Sequence, residues 1–370
     1  MKSWFGRKAA PPARPLLSRA YSGAAGVGDW PRNYEAQVRD GYVGNPVAQR
    51  AVRLVAESVA WAPVYALEGE AGASAKALKL VTPLLLDQAA AQLLLHGNAF
   101  VQILLDADAA PAELFALRPE RVTIEADAGG WPSAYVYRAG EVKARLPALD
   151  ALGRPGLVHV KAMHPLDDHY GLGCLGAAAG AVAIHNAATR WNKALLDNAA
   201  RPSGALSVDG GEGALDPDQY DRLRDELELH FAGTANAGRP LLLEGGLKWQ
   251  AMSLTPADMD FAQMKAAAAR EIALAFGVPP MLLGLPGDST YANYREANRA
   301  LWRLTVLPLA DRLLGAIGAA LRAWWPGVKL KLDVDQVTAL AEDRERLWAQ
   351  VTAADFLSRE EKREMLGFGA

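Results

Sequence analysis

The feature that most constrains the fold is a short apolar linker between two helical patterns, within residues 270–302. Gly277 ends the first pattern, and Pro279 and Pro280 prevent that helix from resuming at once. The large apolar side chains of the linker are therefore held between two rigid helices. Exposed in a single chain, they would favour aggregation, so we expect them to contact another surface. These residues are Met281, Leu282, Leu283 and Leu285, followed by Pro286.

Apolar residues at steps of three and four predict the two helices that flank this linker. The first helix is expected to run from about residue 256 to residue 276, and the second from residue 291 to about residue 325, with a kink at Pro308. The predicted stripes are Phe261, Met264, Ala268, Ile272 and Ala275 on the first helix, and Tyr291, Tyr294, Leu301 and Leu304 on the second.

The balance of charges argues against tight electrostatic binding of nucleic acid. The chain has 370 residues, with 39 lysines and arginines against 42 aspartates and glutamates. Domains that bind nucleic acid through its phosphates usually carry a basic patch. Its length suggests two or three structural units. We therefore expect a multi-unit protein whose surface does not hold DNA tightly.

Cysteine content and hydropathy indicate in which compartment the chain is made and whether it crosses a membrane. Cys174 is the only cysteine, which excludes an internal disulfide, a cysteine-based zinc site and an iron–sulfur cluster. A reducing, intracellular place of synthesis is therefore favoured. The longest uncharged apolar run, residues 171–184, is shorter than the roughly 18–20 residues of a membrane-spanning helix, so no membrane segment is expected.

The first half of the chain is predicted to form an α+β domain. Asn45 and Pro46 begin a helix that ends near Trp61, and Thr82 and Pro83 begin a second one. Turn residues separate the short segments that follow, which have the composition of strands. The predicted strands are residues 64–67, 99–105, 113–117, 122–125, 134–138, 141–146 and 157–162.

An alanine-rich helix is predicted next, over about residues 176–200. Its small residues suit close packing of one helix against another, and an ordinary core helix has the same composition. The face that we expect it to bury consists of Ile184, Ala188, Trp191 and Leu195.

A compact insertion occupies residues 203–253, between the alanine-rich helix and the helix that precedes the linker. Its acidic stretch, residues 209–228, is interpreted either as a solvated face or as a surface that meets a partner. The predicted elements are strands at 204–208, 240–243 and 247–252 and a helix at 217–230.

The last part of the chain is predicted to contain a short strand and two helices. The strand is expected at residues 329–334 and the helices at 336–353 and 359–366. Ser358 and Glu361 form a capping box at the start of the last helix.

One cluster of side chains has the composition of a metal site. His159, His164, Asp167, Asp168 and His169 could in principle bind zinc or a pair of metal ions, which would suit a metal-dependent hydrolase. No HExxH helix, phosphate-binding GxxxxGK[ST] loop or GxSxG turn accompanies the cluster. We therefore expect no bound metal, no cofactor and no enzymatic activity.

Several motifs together resemble one protein family. FGVPPMLLG and TYANYREANRALW surround the linker, and LLLHGNAFV, RPSGAL and GRPLLLEGGLKW occur earlier in the chain. These stretches look like those of HK97-type tailed-phage portal proteins, and the sequence around the linker is most similar to that of portals of gene transfer agents. The resemblance covers residues 45–326.

The resemblance implies an α+β portal fold that forms rings, with a wing, a stem, a clip and a crown. The parts that it implies are a basic tail and lead-in (1–44), an α/β wing (45–173), a first stem helix (174–202), a β-rich clip (203–254), a second stem helix (255–276), a tunnel loop (277–290), a long kinked wing helix with a strand (291–335) and a short helical crown (336–370).

The resemblance also implies a function. Such rings, usually of twelve subunits, occupy one vertex of a tailed-phage-like capsid, where double-stranded DNA enters during packaging and leaves during ejection. The implied partners are other copies of the chain, the DNA duplex without sequence specificity, the large terminase, the head–tail adaptor and the major capsid protein, with no membrane. The resemblance further implies that the chain is made in the bacterial cytoplasm and is then incorporated into the particle.

The site residues expected from this reading are of two kinds. Met281, Leu282, Leu283, Leu285 and Pro286 of the tunnel loop are expected to face the DNA channel. Partner docking on the clip is expected at Asp218, Asp221 and Asp225. The basic N-terminal tail is interpreted as a solvated segment or as one that touches DNA or capsid. A metal-dependent hydrolase and a ring or scaffold protein of another assembly remain the alternative functions.

Overall fold

The computed structural model describes most of the chain. The described residues are 33–67, 69, 71–197, 204–208, 247–251, 261–285 and 290–366, with Leu17, Asp216, Asp218, Asp221, Arg222, Arg224 and Asp225 as single positions. The predicted strand at 240–243, Pro286 and the N-terminal tail apart from Leu17 lie outside these residues.

The described helices and strands follow one another in the order of an α+β protein. The α-helices are α1 (Tyr34–Gln37), α2 (Pro46–Trp61), α3 (Ala71–Leu80), α4 (Pro83–His96), α5 (Cys174–Asp197), α6 (Phe261–Ala275), α7 (Tyr291–Leu301), α8 (Leu307–Leu321), α9 (Ala341–Ala353) and α10 (Arg359–Met365). The strands are β1 (Val64–Leu67), β2 (Asn98–Leu105), β3 (Pro111–Leu117), β4 (Val122–Ala126), β5 (Pro132–Ala139), β6 (Val142–Pro147), β7 (Leu157–Lys161), β8 (Gly204–Val208), β9 (Leu247–Ala251) and β10 (Lys329–Leu332).

The chain divides into two compact units. The larger unit contains Met1–Ala179 and Ile272–Ala370, and the smaller contains Gly180–Glu271. In the smaller unit β8 and β9 form an antiparallel pair, and the ring of Trp191 stacks on that of Phe261 with centroids 4.1 Å apart.

Helix α2 begins where the sequence predicts and forms much of the larger unit's core. The side chain of Asn45 accepts hydrogen bonds from the amides of Val47 and Ala48, each 3.0 Å long, and so caps the first turn. Its buried face packs against α4, whose last residue is followed by Gly97 in the left-handed conformation that ends many helices. Val52, Val55 and Val59 on this face are fully buried.

Two three-stranded antiparallel sheets share one apolar cluster. Their strand orders are β3-β2-β7 and β4-β5-β6. Phe100 of β2 is fully buried, and its ring contacts that of Tyr135 on β5 edge to face, with centroids 5.9 Å apart. The other buried members of this cluster are Leu117, Val122, Ile124 and Leu157.

Asn98, at the junction of α4 and β2, joins distant parts of the larger unit. Its Oδ1 accepts hydrogen bonds from the Gly171 amide (2.8 Å) and from Nε2 of His159 (3.0 Å), while its Nδ2 donates to the Gly171 carbonyl (3.2 Å). Only glycine fits at position 171, because a Cβ there would lie 2.0 Å from the carbonyl oxygen of Gly97. The segment that leads into α5 is therefore held directly against the end of α4.

The strands predicted between residues 64 and 162 are confirmed to within two residues at each end. Helix α3, which the sequence pattern does not predict, lies between β1 and α4. Its sequence, AGASAKALKL, has a glycine and a serine in its first turns, and these residues weaken a helical pattern. The packing of α3 against β1 and β3 compensates for this weak propensity.

Two predictions about helices need correction. The buried side of α5 consists of Ala181, Val182, His185 and Ala188, whereas Ile184 is exposed, because alanines on most sides give little indication of which face is apolar. The helix predicted at 336–353 begins at Ala341. Residues 334–340 form two 3₁₀ turns instead, since the carboxylate of Asp333 accepts a hydrogen bond from the Asp335 amide and holds a turn there.

The second flanking helix is continuous over Tyr291–Leu321. At the kink predicted for Pro308 the helix has a π-helical stretch, Trp302–Val306, just before the proline. Proline has no backbone N–H to donate to the preceding turn, so the regular hydrogen-bond pattern is interrupted there. This helix is long and apolar enough to cross a membrane, although the sequence predicted no such segment. The core helix of a protein can have the same length and composition. Here Leu313, Leu314, Ile317 and Leu321 are fully buried within the protein.

Candidate channel segment and docking surfaces

The linker begins with a tight exit from α6 that requires glycine. Gly277 has a φ of +64°, and a Cβ on it would lie 2.8 Å from Oγ1 of Thr305. The Thr305 hydroxyl donates a 2.7 Å hydrogen bond to the Gly277 carbonyl, so the π-helical stretch of the second helix holds the end of the first. The linker is therefore fixed at its base by a side chain that lies 28 residues further along the chain.

The apolar part of the linker folds into a short 3₁₀ helix, Pro280–Leu283, that ends at Gly284 with a φ of +71°. Hydrogen bonds from the Leu282 amide to the Pro279 carbonyl (3.0 Å) and from the Leu285 amide to the Pro280 carbonyl (3.3 Å) close it. The 3₁₀ helix packs against α2 and α7, and its large side chains are all half-buried. A single copy thus covers part of their apolar surface and leaves the rest accessible. The half-buried residues are Met281, Leu282, Leu283 and Leu285.

The start of α7 is exposed on every side. Thr290 caps this helix by accepting a hydrogen bond from the Asn293 amide, and each residue from 290 to 296 is exposed. The predicted stripe is therefore wrong at three of its four positions: Tyr291 is 79% exposed, Tyr294 is 51% exposed and Leu304 is 78% exposed. The buried face begins only at Leu301, where α7 reaches the body of the larger unit.

The arginines of α7 have acidic partners that are far away in the sequence. Arg299 donates to Glu342 of α9 (2.7 Å) and to Glu296 (3.0 Å), and Arg295 also donates to Glu342 (2.6 Å). Asp343 adds a contact of 3.6 Å to Arg299. Because Glu342 and Asp343 are more than 40 residues away, helical spacing on α7 alone could not reveal this cluster, which ties α9 to the second helix.

The three acidic residues proposed for docking lie on an exposed surface. Asp218, Asp221 and Asp225 are all exposed and have helical backbone, as the sequence predicts for this stretch. Arg224 lies 3.2 Å from the carboxylates of both Asp221 and Asp225. Exposed pairs of this kind contribute little to stability, so these side chains can be exchanged without disturbing a core.

His159, in the cluster that could have bound metal, has a structural role. Its ring stacks on Phe100 with centroids 4.3 Å apart, and its Nε2 bonds to Oδ1 of Asn98. Burial, with a smaller contribution from the charge of Lys161, lowers the pKa of His159 to about 3. The neutral imidazole is therefore part of the core of the larger unit and is not directed at an open site.

The other members of that cluster are each used locally. His169 is buried, and its Nε2 bonds to the Gly130 carbonyl (2.6 Å), whereas Nδ1 of His164 accepts from the Leu166 amide (3.0 Å). Asp167 accepts from the backbone amides of residues 169 and 170, and the carbonyl of Asp168 accepts from the Lys161 amine. Within the described part of the chain, no group of three or more His, Cys, Asp and Glu side chains is placed to hold a metal ion. The hydrolase alternative has no support in this geometry.

Comparisons with known proteins agree on one family. The family model described as phage portal protein matches residues 46–367. A chain from the neck of an empty gene transfer agent particle, computed with C6 symmetry, is 46% identical with a TM-score of 0.71, covering 94% of this chain and 97% of that one. A chain from the neck of a native particle, computed with C12 symmetry, is 47% identical with a TM-score of 0.69, covering 94% and 96%. An uncharacterized protein of Rickettsia bellii is 40% identical over 346 residues, covering 89% of this chain and 88% of its own.

The burial of neutral His159 predicts a dependence of stability on pH. Because its pKa is lower in the folded chain than in the unfolded chain, the unfolded chain binds one more proton between about pH 6.5 and pH 3. Stability from this group is complete above pH 6.5 and is lost as the pH falls, on the order of 2 kcal/mol by pH 5. We expect His159→Asn to lower the melting temperature at pH 7.5 and to differ less from the wild type at pH 5.

The matched control is His164→Asn, whose new amide oxygen can still accept from the Leu166 amide. This variant should follow the wild-type melting curve at both pH values in differential scanning fluorimetry. Equal melting temperatures for the two variants at pH 7.5 would contradict the structural role of His159.

Proposed function

Because this chain belongs to the phage portal protein family, we propose that it forms the ring at one capsid vertex through which double-stranded DNA enters and leaves a gene-transfer-agent or phage-like particle. The observation that carries this proposal is the sequence identity of 46–47%, over 94% of the chain, to chains in gene transfer agent necks. The C12 symmetry of one of these necks favours a ring of twelve subunits. Heterologous contacts that close on themselves produce such rings.

In this proposal the chain supplies geometry and no chemistry of its own. A separate large terminase drives the DNA, and a head–tail adaptor later replaces it at the same end of the ring. The formal net charge of −3 supports this division of work, because a strongly basic channel would hold the phosphates by releasing their counterions. The chain is made in the bacterial cytoplasm, and the ring joins the major capsid protein in the particle.

The linker is the part of the ring that we assign to the channel. Its large side chains are only half-buried against α2 and α7, and prolines and a left-handed glycine restrict its backbone. One copy from each subunit would place an apolar constriction around the axis. Apolar side chains touch DNA without gripping its charges, so the duplex could slide inward while the narrow bore limits its return. The residues assigned to this contact are Met281, Leu282, Leu283, Leu285 and Pro286.

The ring itself is tested by electron microscopy of the purified protein. We expect two-dimensional class averages of a closed ring with a central hole, and a molar mass near twelve chains by light scattering on a size-exclusion peak. A species that stays monomeric or dimeric over a range of protein and salt concentrations would overturn the proposed function.

The channel assignment predicts a separation of assembly from DNA retention. Replacing Leu282, Leu283 and Leu285 together by serine should leave rings and their incorporation into capsids intact, because none of the three is fully buried. Stable retention of packaged DNA, measured as nuclease-protected DNA per particle, should fall several-fold because the constriction loses its apolar surface.

The matched control replaces three exposed leucines of the wing loops, Leu149, Leu152 and Leu166, by serine. This variant should assemble and retain DNA like the wild type. If the linker variant fails to assemble while the control assembles, the linker is a core connection and not a channel segment. If the linker variant retains as much nuclease-protected DNA as the wild type, contact between the linker and DNA does not contribute to retention.

The acidic surface predicts partner docking through charge. Changing Asp218, Asp221 and Asp225 to lysine should preserve the ring and weaken its binding to terminase and adaptor by about tenfold at low salt. The effect should shrink as salt rises, because exposed charges are screened over about 8–10 Å at physiological ionic strength. Surface plasmon resonance at two salt concentrations measures both effects.

The control for this charge reversal carries the same change in net charge at exposed acids elsewhere, Glu113, Glu141 and Glu345. Its affinity for both partners should match that of the wild type. If the variant with lysine at positions 218, 221 and 225 binds both partners as tightly as the wild type, these aspartates have no docking role.

A further inference from the structure

Thr305 of the second helix is bonded to the base of the linker. Its Oγ1 donates a 2.7 Å hydrogen bond to the carbonyl oxygen of Gly277, 28 residues earlier in the chain. A Cβ on Gly277 would lie only 2.8 Å from this Oγ1, so the hydroxyl fits closely against backbone that carries no side chain. The bond therefore joins the two ends of the segment that contains the linker.

The linker depends on this base because its own structure is weak. Its 3₁₀ helix, Pro280–Leu283, has only 4 residues, and so short a helix is not stable by itself. It packs against α2 and α7, but none of its side chains is fully buried. At its far end a Cβ on Gly284 would meet no atom within 4 Å, so there is open space around the tip. The direction of the linker is therefore set at its closely packed base.

The irregular turn of the second helix places Thr305 at this base. Thr305 lies in the π-helical stretch Trp302–Val306, where hydrogen bonds span one residue more than in an α-helix. Val306 after it is fully buried and Leu304 before it is exposed, so Thr305 lies at the border between the core and the surface. Single π-helical turns inside α-helices are frequent at functional sites. The hydroxyl that this turn brings to Gly277 therefore points to a role in the function of the linker.

We propose that Thr305 is a positioning residue for DNA retention, whose hydroxyl holds the linker at the angle at which its apolar side chains meet the duplex. The proposal rests on the proposed function, because the linkers of several copies surround the DNA only in a ring. Copies on opposite sides of the axis face each other, so a displacement of every linker changes the bore from all sides. In this role Thr305 acts through Gly277 and needs no contact of its own with DNA.

Two substitutions separate the hydroxyl from the shape of the side chain. Thr305→Val keeps the branched shape, but the new methyl group cannot donate a hydrogen bond. It would also lie 2.7 Å from the Gly277 carbonyl oxygen, whereas contacts between carbon and oxygen are usually about 3.3 Å or longer. The carbonyl must therefore move away, and the linker loses its fixed base. Thr305→Ser keeps the donor and should keep the linker in place.

Hydrogen–deuterium exchange of the full-length protein, read by mass spectrometry, tests the proposal. In Thr305→Val the amides of residues 278–285 should exchange about fivefold faster, as expected when a local structure loses one hydrogen bond. Peptides from α2 and α8 should exchange as in the wild type, and rings should still form. Nuclease-protected DNA per particle should fall at least twofold. Thr305→Ser should match the wild type in both measurements.

The matched control is Thr189→Val, which removes another threonine hydroxyl that donates to a backbone carbonyl, that of His185, at 2.9 Å. This variant should leave DNA retention and the exchange of residues 278–285 unchanged. Equal acceleration of linker exchange in both valine variants, or none in Thr305→Val, would overturn the proposal. A loss of DNA retention in Thr305→Ser as large as that in Thr305→Val would overturn it as well.

The serine variant of Leu282, Leu283 and Leu285 shows which of the two proposals fails. If that variant loses DNA while Thr305→Val exchanges faster but retains DNA, the channel assignment stands and the positioning role of Thr305 is wrong. If neither variant loses DNA, the channel assignment is wrong, and the positioning role is wrong with it. A wild-type protein that forms no rings overturns the proposed function, whichever way the exchange of residues 278–285 responds.

Discussion

The hydrogen bonds of Asn98 are the interaction on which the larger unit depends most. This one side chain lies where α4 becomes β2 and bonds to both backbone groups of Gly171 and to the ring of His159 on β7. A buried polar side chain is costly unless its groups are satisfied, and here both ends of the amide have partners. The helical layer, the sheet and the start of α5 therefore share one polar connection, surrounded by the apolar cluster of Phe100.

This arrangement explains why a group of histidines and aspartates that resembles a metal site has become part of the scaffold. His159 is stacked and hydrogen-bonded, His169 holds the turn between β4 and β5, and Asp167 caps the backbone that leads to Gly171. Each polar group stabilises a loop that brings the chain back towards α4. The composition of a metal site and the composition of a hydrogen-bonded corner are the same, and only the directions of the side chains distinguish them.

A second set of long-range contacts fixes the position of the linker. Thr305 holds the carbonyl of Gly277, and the π-helical turn before Pro308 brings that threonine to the base of the linker. Further along, Arg299 ties α9 to the second helix. The half-buried side chains of the linker and the exposed first turns of α7 therefore lie next to a framework that contacts between distant segments hold in place.

The sequence by itself determined the elements whose cause is local. Local signals predicted the positions of these elements within two residues, because they act over one or two turns. They are cap residues such as Asn45 and Thr82, the glycine stop at Gly277 and the composition of the strands between residues 64 and 162. The family resemblance, and with it the portal function, also came from linear motifs. The assignment of the clip and the channel residues remains a prediction from those motifs.

Only the tertiary structure decided which faces are buried and which polar groups meet. The exposure of Ile184 and Tyr291, the partners of Arg299 and the structural role of His159 depend on residues 40 or more positions away or on packing that alanine-rich sequence does not encode. A surface groove likewise joins the end of α2 to Trp302 and to residues beyond β10. Contacts between distant segments arise from the closing of the whole core, and a local pattern carries no record of which distant residue it will meet.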